Sequence, residues 1–315
     1  MAQSRFVPYL VLLAGVFIAA TSSILVRLAQ DGGHGAPSIV IATWRLAVAS
    51  AILTPIAWRN SRSEVARLRR KDVGWAAAAG VLLAVHLATW ITSLEYTSVA
   101  SSAALVTTNP LWVALAVYFI FREKLSRSTV LGLIAGFTGS LLIAFSDGGI
   151  LVIDGGRVQF YWENLLAPAG KADTALSGDM LALVGAVTVA AYLLVGRDLR
   201  RRISNTAYVW LVYSAAMATM LIVVLFSQHS LFGYGWQIYL WILLLGLGPQ
   251  LMGHTAYNWA LAHLSATLVA LTVLGEPIGS AILAYFIFGE TFAPVQLAGL
   301  VLLLIGIALG VLGEE

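Results

Sequence analysis

The chain has 315 residues, of which 60% are hydrophobic and only 10% charged, with a mean hydropathy of +0.88. An ordinary soluble domain carries roughly a quarter charged residues, so this composition reads as an integral membrane protein. There is no cysteine, which excludes disulfides, thiolate metal sites and cysteine nucleophiles, and the net charge of +3 reads as membrane topology rather than nucleic-acid binding.

A membrane-crossing helix needs about 20 mainly apolar residues. Ten windows of that kind run in chain order near 7–29, 38–58, 73–94, 98–121, 126–145, 177–196, 206–227, 236–260, 265–288 and 292–312. The first is too long for the apolar core of a signal peptide and reads as an uncleaved span. The longest polar interval, 146–176, is too short to bury a core of its own, so recognition must lie among the helices. Within it, "ILVIDGGRVQF" alternates around Asp154-Gly155-Gly156, which suits either a small hairpin or a flexible linker.

Basic residues collect on the cytoplasmic side of short loops. Arg59, Arg62, Arg67, Arg69, Arg70 and Lys71 follow span two, Arg122, Lys124 and Arg127 follow span four, and Arg197, Arg200, Arg201 and Arg202 follow span six. With Arg5 they mark one face, whereas only Arg157 and Lys171 lie in a clearly opposite loop. Both termini are therefore expected in the cytoplasm, in a multi-pass protein of the bacterial inner membrane surrounded by lipid.

"YFIFREKL" begins at Tyr118 and "YFIFGETF" at Tyr285. The same offset of 167 residues pairs Pro110 with Pro277, Glu123 with Glu290, Gly132 with Gly299 and Gly139 with Gly306. Spans three to five thus repeat as spans eight to ten, with five helices in each half, and an odd number inverts the second half in the membrane. The basic flank after the first YFIF and its loss after the second are what inversion predicts. Inverted repeats of this kind are a recurring design of secondary transporters, with the substrate near mid-bilayer between the halves. The expected fold is all-α, ten transmembrane helices as two inverted five-helix repeats around a central cavity: residues 1–146, an extracytoplasmic linker 147–176, and residues 177–315.

The stretches "ITSLEYTSVASSAALVTTNPLWVALAVYFIFREKL" and "ALAHLSATLVALTVLGEPIGSAILAYFIFGETF" resemble the paired motifs of the drug/metabolite transporter superfamily, EamA type. The resemblance covers essentially the whole chain and is nearest to the YddG-type exporters of aromatic amino acids. It implies a transporter rather than an enzyme, with amino acids as substrates. The chain departs from repeat symmetry where span four carries Asn109-Pro110 and span nine carries Glu276-Pro277.

Glu276 is the one acidic residue in the middle of an expected span. A carboxylate at that depth faces water or a partner, and it reads either as a proton or substrate-amine site or as a group satisfying backbone freed by Pro277. Arg45, inside span two, reads as a substrate-carboxylate contact or as a tie between helices. His86 and Trp90 share a face of span three, and Trp90 aligns with Tyr257 under the repeat. With Trp210 and Tyr213 of span seven they would enclose a flat side chain, although such rings also gather at membrane interfaces. Gln250, His254 and Asn258 form a polar stripe on span eight, just after Gly246, Gly248 and Pro249 interrupt regular helix chemistry. Ser101, Thr108 and Asn109 give span four a milder polar signal.

The glycines of spans five and ten read mainly as close packing within the bundle, with dimerisation through Gly132-x-x-x-Gly136 the lesser reading, so the oligomeric state stays open and a monomer suffices. No Walker loop, GxSxG, HExxH or paired-carboxylate arrangement is present, and the five histidines are not spaced for metal, so no cofactor or metal is expected. The expected function is export or facilitated passage of amino acids, including aromatic ones, by alternating access. A multidrug or cationic-metabolite exporter is the alternative, and a lipid-handling or structural membrane subunit the distant one.

Overall fold

In the computed structural model, residues 6–30, 35–96, 102, 105–147, 150–154, 157–161, 172–289 and 292–314 are described. Ser101, Lys171, Glu290 and the turn glycines Gly155 and Gly156 lie outside them. The elements in order are α1 (Val7–Ala19), α2 (Thr21–Gln30), α3 (Ser38–Asn60), α4 (Arg62–Ala66), α5 (Arg70–Tyr96), α6 (Asn109–Phe119), α7 (Arg127–Asp147), β1 (Leu151–Asp154) and β2 (Arg157–Phe160). They continue with α8 (Ala172–Arg200), α9 (Asn205–Ser227), α10 (Trp236–Leu245), α11 (Gly246–His254), α12 (Thr255–Ala260), α13 (Ala266–Val273), α14 (Gly275–Phe288) and α15 (Pro294–Glu314).

The fold is helical because hydrocarbon offers the backbone no partner, so each segment must satisfy its own N–H and C=O groups. Among the described residues, seven helical stretches are long and apolar enough to cross a membrane: Val7–Gln30, Ser38–Asn60, Arg70–Tyr96, Ser177–Arg200, Asn205–Ser227, Ala266–Phe288 and Pro294–Gly313. Two further apolar helices, Asn109–Phe119 and Arg127–Ile143, are shorter, and α10, α11 and α12 follow one another without a loop. Leu10, Phe17, Ile120, Ile222, Phe226, Phe286 and Val301 are exposed around the outside, as befits helices whose outer faces meet lipid.

The interval after α7 is not a plain linker. β1 and β2 pair antiparallel with Leu151 opposite Phe160 and Asp154 opposite Arg157, and the hairpin is seated by buried Ile150 and Leu151. This small sheet is an addition to the expected all-α architecture.

Helices pack where glycine lets backbones approach. A Cβ on Gly132 would lie 2.7 Å from the Gly306 carbonyl oxygen, and one on Gly306 would lie 2.8 Å from that of Gly132. Gly139 and Gly299 repeat the relationship at 2.7 and 2.8 Å, so α7 and α15 run antiparallel in reciprocal contact. Elsewhere the pairs also answer one another. Gly15 of α1 abuts Ala256 and Tyr257, as Gly185 of α8 abuts Thr89 and Trp90. Gly80 of α5 admits the backbone at Val212, and Gly246 admits Val48 of α3. The α3 and α9 helices cross antiparallel, joined by Ser50 and Ser214 at 3.0 Å and by Trp210 Nε1 donating to Thr54 Oγ1 at 3.2 Å.

Two breaks position the site. The helical path before Asn109 passes through a turn at Thr107 and Thr108, and the path between α13 and α14 breaks at Leu274. Each break immediately precedes one of the equivalent prolines, Pro110 and Pro277. Proline has no N–H and crowds the carbonyl four residues back, so these are the places where a continuous span gives way.

Candidate functional site

Arg45, Tyr213, His254 and Tyr257 gather around α11, the π-helical turn that carries Gly246, Gly248 and Pro249. Such wide turns re-aim side chains and recur at functional sites. Gln250, His254 and Asn258 are all buried. Arg45, 1% exposed, reaches across from α3, donating from Nε to Gln250 Oε1 at 2.8 Å and from Nη1 to Ser22 Oγ of α2 at 2.8 Å. Tyr213 of α9 is fully buried, with its hydroxyl 3.2 Å from both the Gln250 carbonyl oxygen and Thr255 Oγ1. Arg45 and Tyr213 are thus tied to protein, which favours a helix-tying role over direct contact with substrate.

Glu276 has the opposite character. It stands in the first turn of α14 and is only half-buried. Tyr257 Oη donates to Glu276 Oε1 at 2.8 Å, and the Tyr257 ring is buried against His254, with centroids 5.7 Å apart. The guanidinium of Arg45 lies within electrostatic reach of the Glu276 carboxylate. At the equivalent position Asn109 is buried and turns back, Nδ2 donating to the Val106 carbonyl oxygen at 3.3 Å. Val106 is the residue whose carbonyl Pro110 leaves without its helical partner. Asn109 therefore repairs the proline break, whereas the bond that Glu276 makes runs to a neighbouring helix.

On the other side, His86 and Trp90 stack with ring planes 6° apart and centroids at 6.2 Å. His86 Nδ1 is 2.9 Å from the Gly185 carbonyl oxygen, which fixes the ring against α8, and Trp90 remains half-buried. Trp210 does not join them, since its indole bonds Thr54 on the α3–α9 crossing. Trp210 lies less than one turn from Tyr213 on α9, but its indole is turned to α3. Ser101 lies outside the described residues.

Several buried polar atoms at this level have no protein partner: Gln250 Nε2, His254 Nδ1, Asn258 Oδ1 and Asn109 Oδ1. Leaving such groups unpaired is costly unless water or a ligand meets them. A void beside Pro110, between Thr108, Leu133, Phe137 and Leu274, holds about 10 Å³, room for a single water rather than a metabolite. Among the described residues no group of three or more histidine and acidic side chains is arranged for a metal ion.

Sequence reasoning missed Ser22, Tyr192 and Arg200. Ser22 was marked only by the polar run Thr21-Ser22-Ser23 inside an apolar span. Tyr192 is a lone tyrosine in an aliphatic stretch, and Arg200 was absorbed into the topological charge count, although it is buried and donates to the Asn258 carbonyl oxygen at 2.9 Å.

Comparison with known proteins bears on the family and the fold. An uncharacterized transporter of Clostridium kluyveri is 22% identical over 298 residues, covering 94% of this chain and 90% of the relative. The uncharacterized transporter YyaM of Bacillus subtilis is 23% identical over 280 residues, covering 87% and 84%. A riboflavin transporter of Brucella anthropi is 28% identical over 109 residues, 35% of this chain and 37% of that one. One solved crystal structure superimposes with a TM-score of 0.75 at 17% identity, over 99% of this chain and 98% of the other, which shows a shared fold. The model of the EamA-like transporter family matches residues 7–145 and again 176–312, and the chain belongs to that family.

Proposed function

We propose that the chain is a secondary transporter of amino acids, aromatic ones included, working by alternating access. It has ten spans in two inverted five-span repeats, residues 1–146 and 177–315, joined by an extracytoplasmic segment, 147–176, with both termini in the cytoplasm. In this reading α10–α12 form one span and α13–α14 another. The charge bias along the loops supports the orientation. The reciprocal glycine contacts of α7 with α15 support a two-fold relation between repeats, as does the double match to one family model.

One observation carries the site assignment. Two positions made equivalent by the repeat hold different chemistry, and only Glu276 bonds a side chain of another helix while staying less than fully buried. A carboxylate placed there takes up a proton or faces the ammonium group of a substrate. Trp90 and His86, across from Tyr257, offer ring faces to a flat side chain. No part of the cycle requires a cofactor.

A second reading has one specific support. The partial likeness to a riboflavin transporter, with the stacked His86 and Trp90 rings, favours a planar heteroaromatic substrate in the same place. A cationic metabolite, held by Glu276, is the remaining transport reading. Purified protein in liposomes separates them through the uptake of radiolabelled phenylalanine, riboflavin and a quaternary ammonium dye. Phenylalanine uptake above empty liposomes is expected, and its absence for every amino acid tried overturns the substrate assignment.

A further inference from the structure

The two YFIF copies end in the same contact at opposite ends of the bundle. Arg27 sits 4.5 Å over the ring of Phe288, and Arg197 sits 5.3 Å over the ring of Phe121. Phe288 and Phe121 are equivalent under the repeat, and Arg27 follows Gly15 by the same interval as Arg197 follows Gly185. Arg197 also pairs with Glu123 at 2.5 Å.

Each contact caps a longer seam. From α1 and α2 to α14, Val16 meets the Gly275 position, Ala20 meets Gly279, and Ser23 Oγ donates to Ser280 Oγ at 2.8 Å. Gly15 then ties α1 to α12 at Ala256, and Tyr257 ties α12 to α14 through Glu276. On the other side, His86 of α5 bonds the α8 backbone, Arg202 after α8 pairs with Asp72 of α5 at 3.0 Å, and Arg197 holds the end of α6. The groupings cut across the two sequence halves. One gathers α1, α2 and α10–α14, and the other α5, α6 and α8.

Both arginine contacts are present together, and each joins elements within one grouping. Between the groupings there is instead a compact knot. Arg200 Nε donates to the Asn258 carbonyl oxygen at 2.9 Å, and Asn258 Nδ2 donates to Tyr192 Oη, with all three residues buried.

We propose that Arg27–Phe288 and Arg197–Phe121–Glu123 are struts that make these two groupings rigid. The groupings, rather than the sequence halves, are then the bodies that rock, and the Arg200–Asn258–Tyr192 knot is the closure broken to open the arginine-rich face. His254, Tyr257 and Glu276 lie on one body and His86 and Trp90 on the other, so substrate passes between them. This inference rests on the transport reading above.

The absence of cysteine makes the test direct. Spin labels on Lys124→Cys with His263→Cys report across the two bodies, and Lys124→Cys with Arg201→Cys report within one. All three positions are exposed. Distances are read by double electron–electron resonance in liposomes, with and without phenylalanine. The expected result is a second, longer distance for the first pair alone, its population rising about fivefold in Tyr192→Phe, as one lost hydrogen bond gives. Adding Arg197→Ala should broaden the second pair. If both pairs change alike, or if Tyr192→Phe leaves the populations unmoved, the assignment of bodies and closure falls while transport by alternating access stands. If neither pair moves under any condition, both fall.

Discussion

Tyr257 donates a hydrogen bond to Glu276 at 2.8 Å, while Asn109, at the position equivalent to Glu276, turns its amide to the Val106 carbonyl. The same helix break thus serves two ends. In the first repeat the polar side chain mends the backbone. In the second it accepts a hydrogen bond from the tyrosine of a neighbouring helix.

Removing only the tyrosine hydroxyl tests that difference. A hydrogen bond to a charged group contributes about 1.5–3 kcal/mol, so Tyr257→Phe should lower the initial rate of phenylalanine flux by roughly tenfold or more without changing the yield of folded protein. Asn109→Ala should do the reverse. It should lower thermal stability by about 1 kcal/mol, as the loss of one buried hydrogen bond does, and leave flux per folded molecule near wild type.

Arg45 is predicted to act on stability. Arg45→Met strands Gln250 Oε1 and Ser22 Oγ in the interior and should cost about 1–3 kcal/mol, typical of leaving buried polar groups unsatisfied. A thermal melt in detergent reads this as a lower midpoint. Arg45→Lys should recover only part of the loss, because an ammonium does not reproduce the two-armed geometry of a guanidinium.

The α7–α15 seam makes a sharp prediction about glycines. Gly132→Ala or Gly306→Ala drives a methyl into a carbonyl oxygen at 2.7 or 2.8 Å and should destabilise by about 1–3 kcal/mol through overpacking. Gly74 lies in α5 with nothing within 4 Å of its added carbon. Gly74→Ala should instead be neutral or stabilising by up to about 1 kcal/mol, the usual helix preference for alanine over glycine. Melting all three variants together checks the contrast.

The aromatic face is tested by selectivity. Stacking of aromatic pairs contributes about 0.5–1.5 kcal/mol beyond area burial, so Trp90→Ala should weaken competition by phenylalanine several-fold more than competition by alanine. Equal effects on both would remove Trp90 from the binding surface.

Much of the fold was legible because the bilayer imposes simple rules. Among the described residues seven of the ten apolar windows coincide with helices long enough to cross a membrane, and the offset relating Pro110 to Pro277 is matched by breaks at Thr108 and Leu274 that the sequence did not announce. Glycines 132, 139, 299 and 306 were visible as packing residues, although their reciprocity was not. The site was less legible, because partnership is set by contacts between distant segments. Nothing in "ATWRLAVAS" says that Arg45 spends its charge on Gln250 and Ser22, and nothing in "TTNPL" distinguishes an asparagine that mends a carbonyl from one that meets substrate. Trp210 was grouped with Trp90 by residue type, but its indole is turned to α3 on the crossing with α9. Tyr192 and Arg200 escaped notice because each is ordinary in its own stretch and gains meaning only against Asn258.

The central claim is that Glu276 is the working carboxylate of a transporter. Its most direct test is radiolabelled phenylalanine flux into liposomes, measured with and without an imposed pH gradient for wild type and Glu276→Gln. The account predicts wild-type flux that responds to the gradient and a variant whose remaining flux does not. A Glu276→Gln protein with wild-type flux and an unchanged response to the gradient would contradict it.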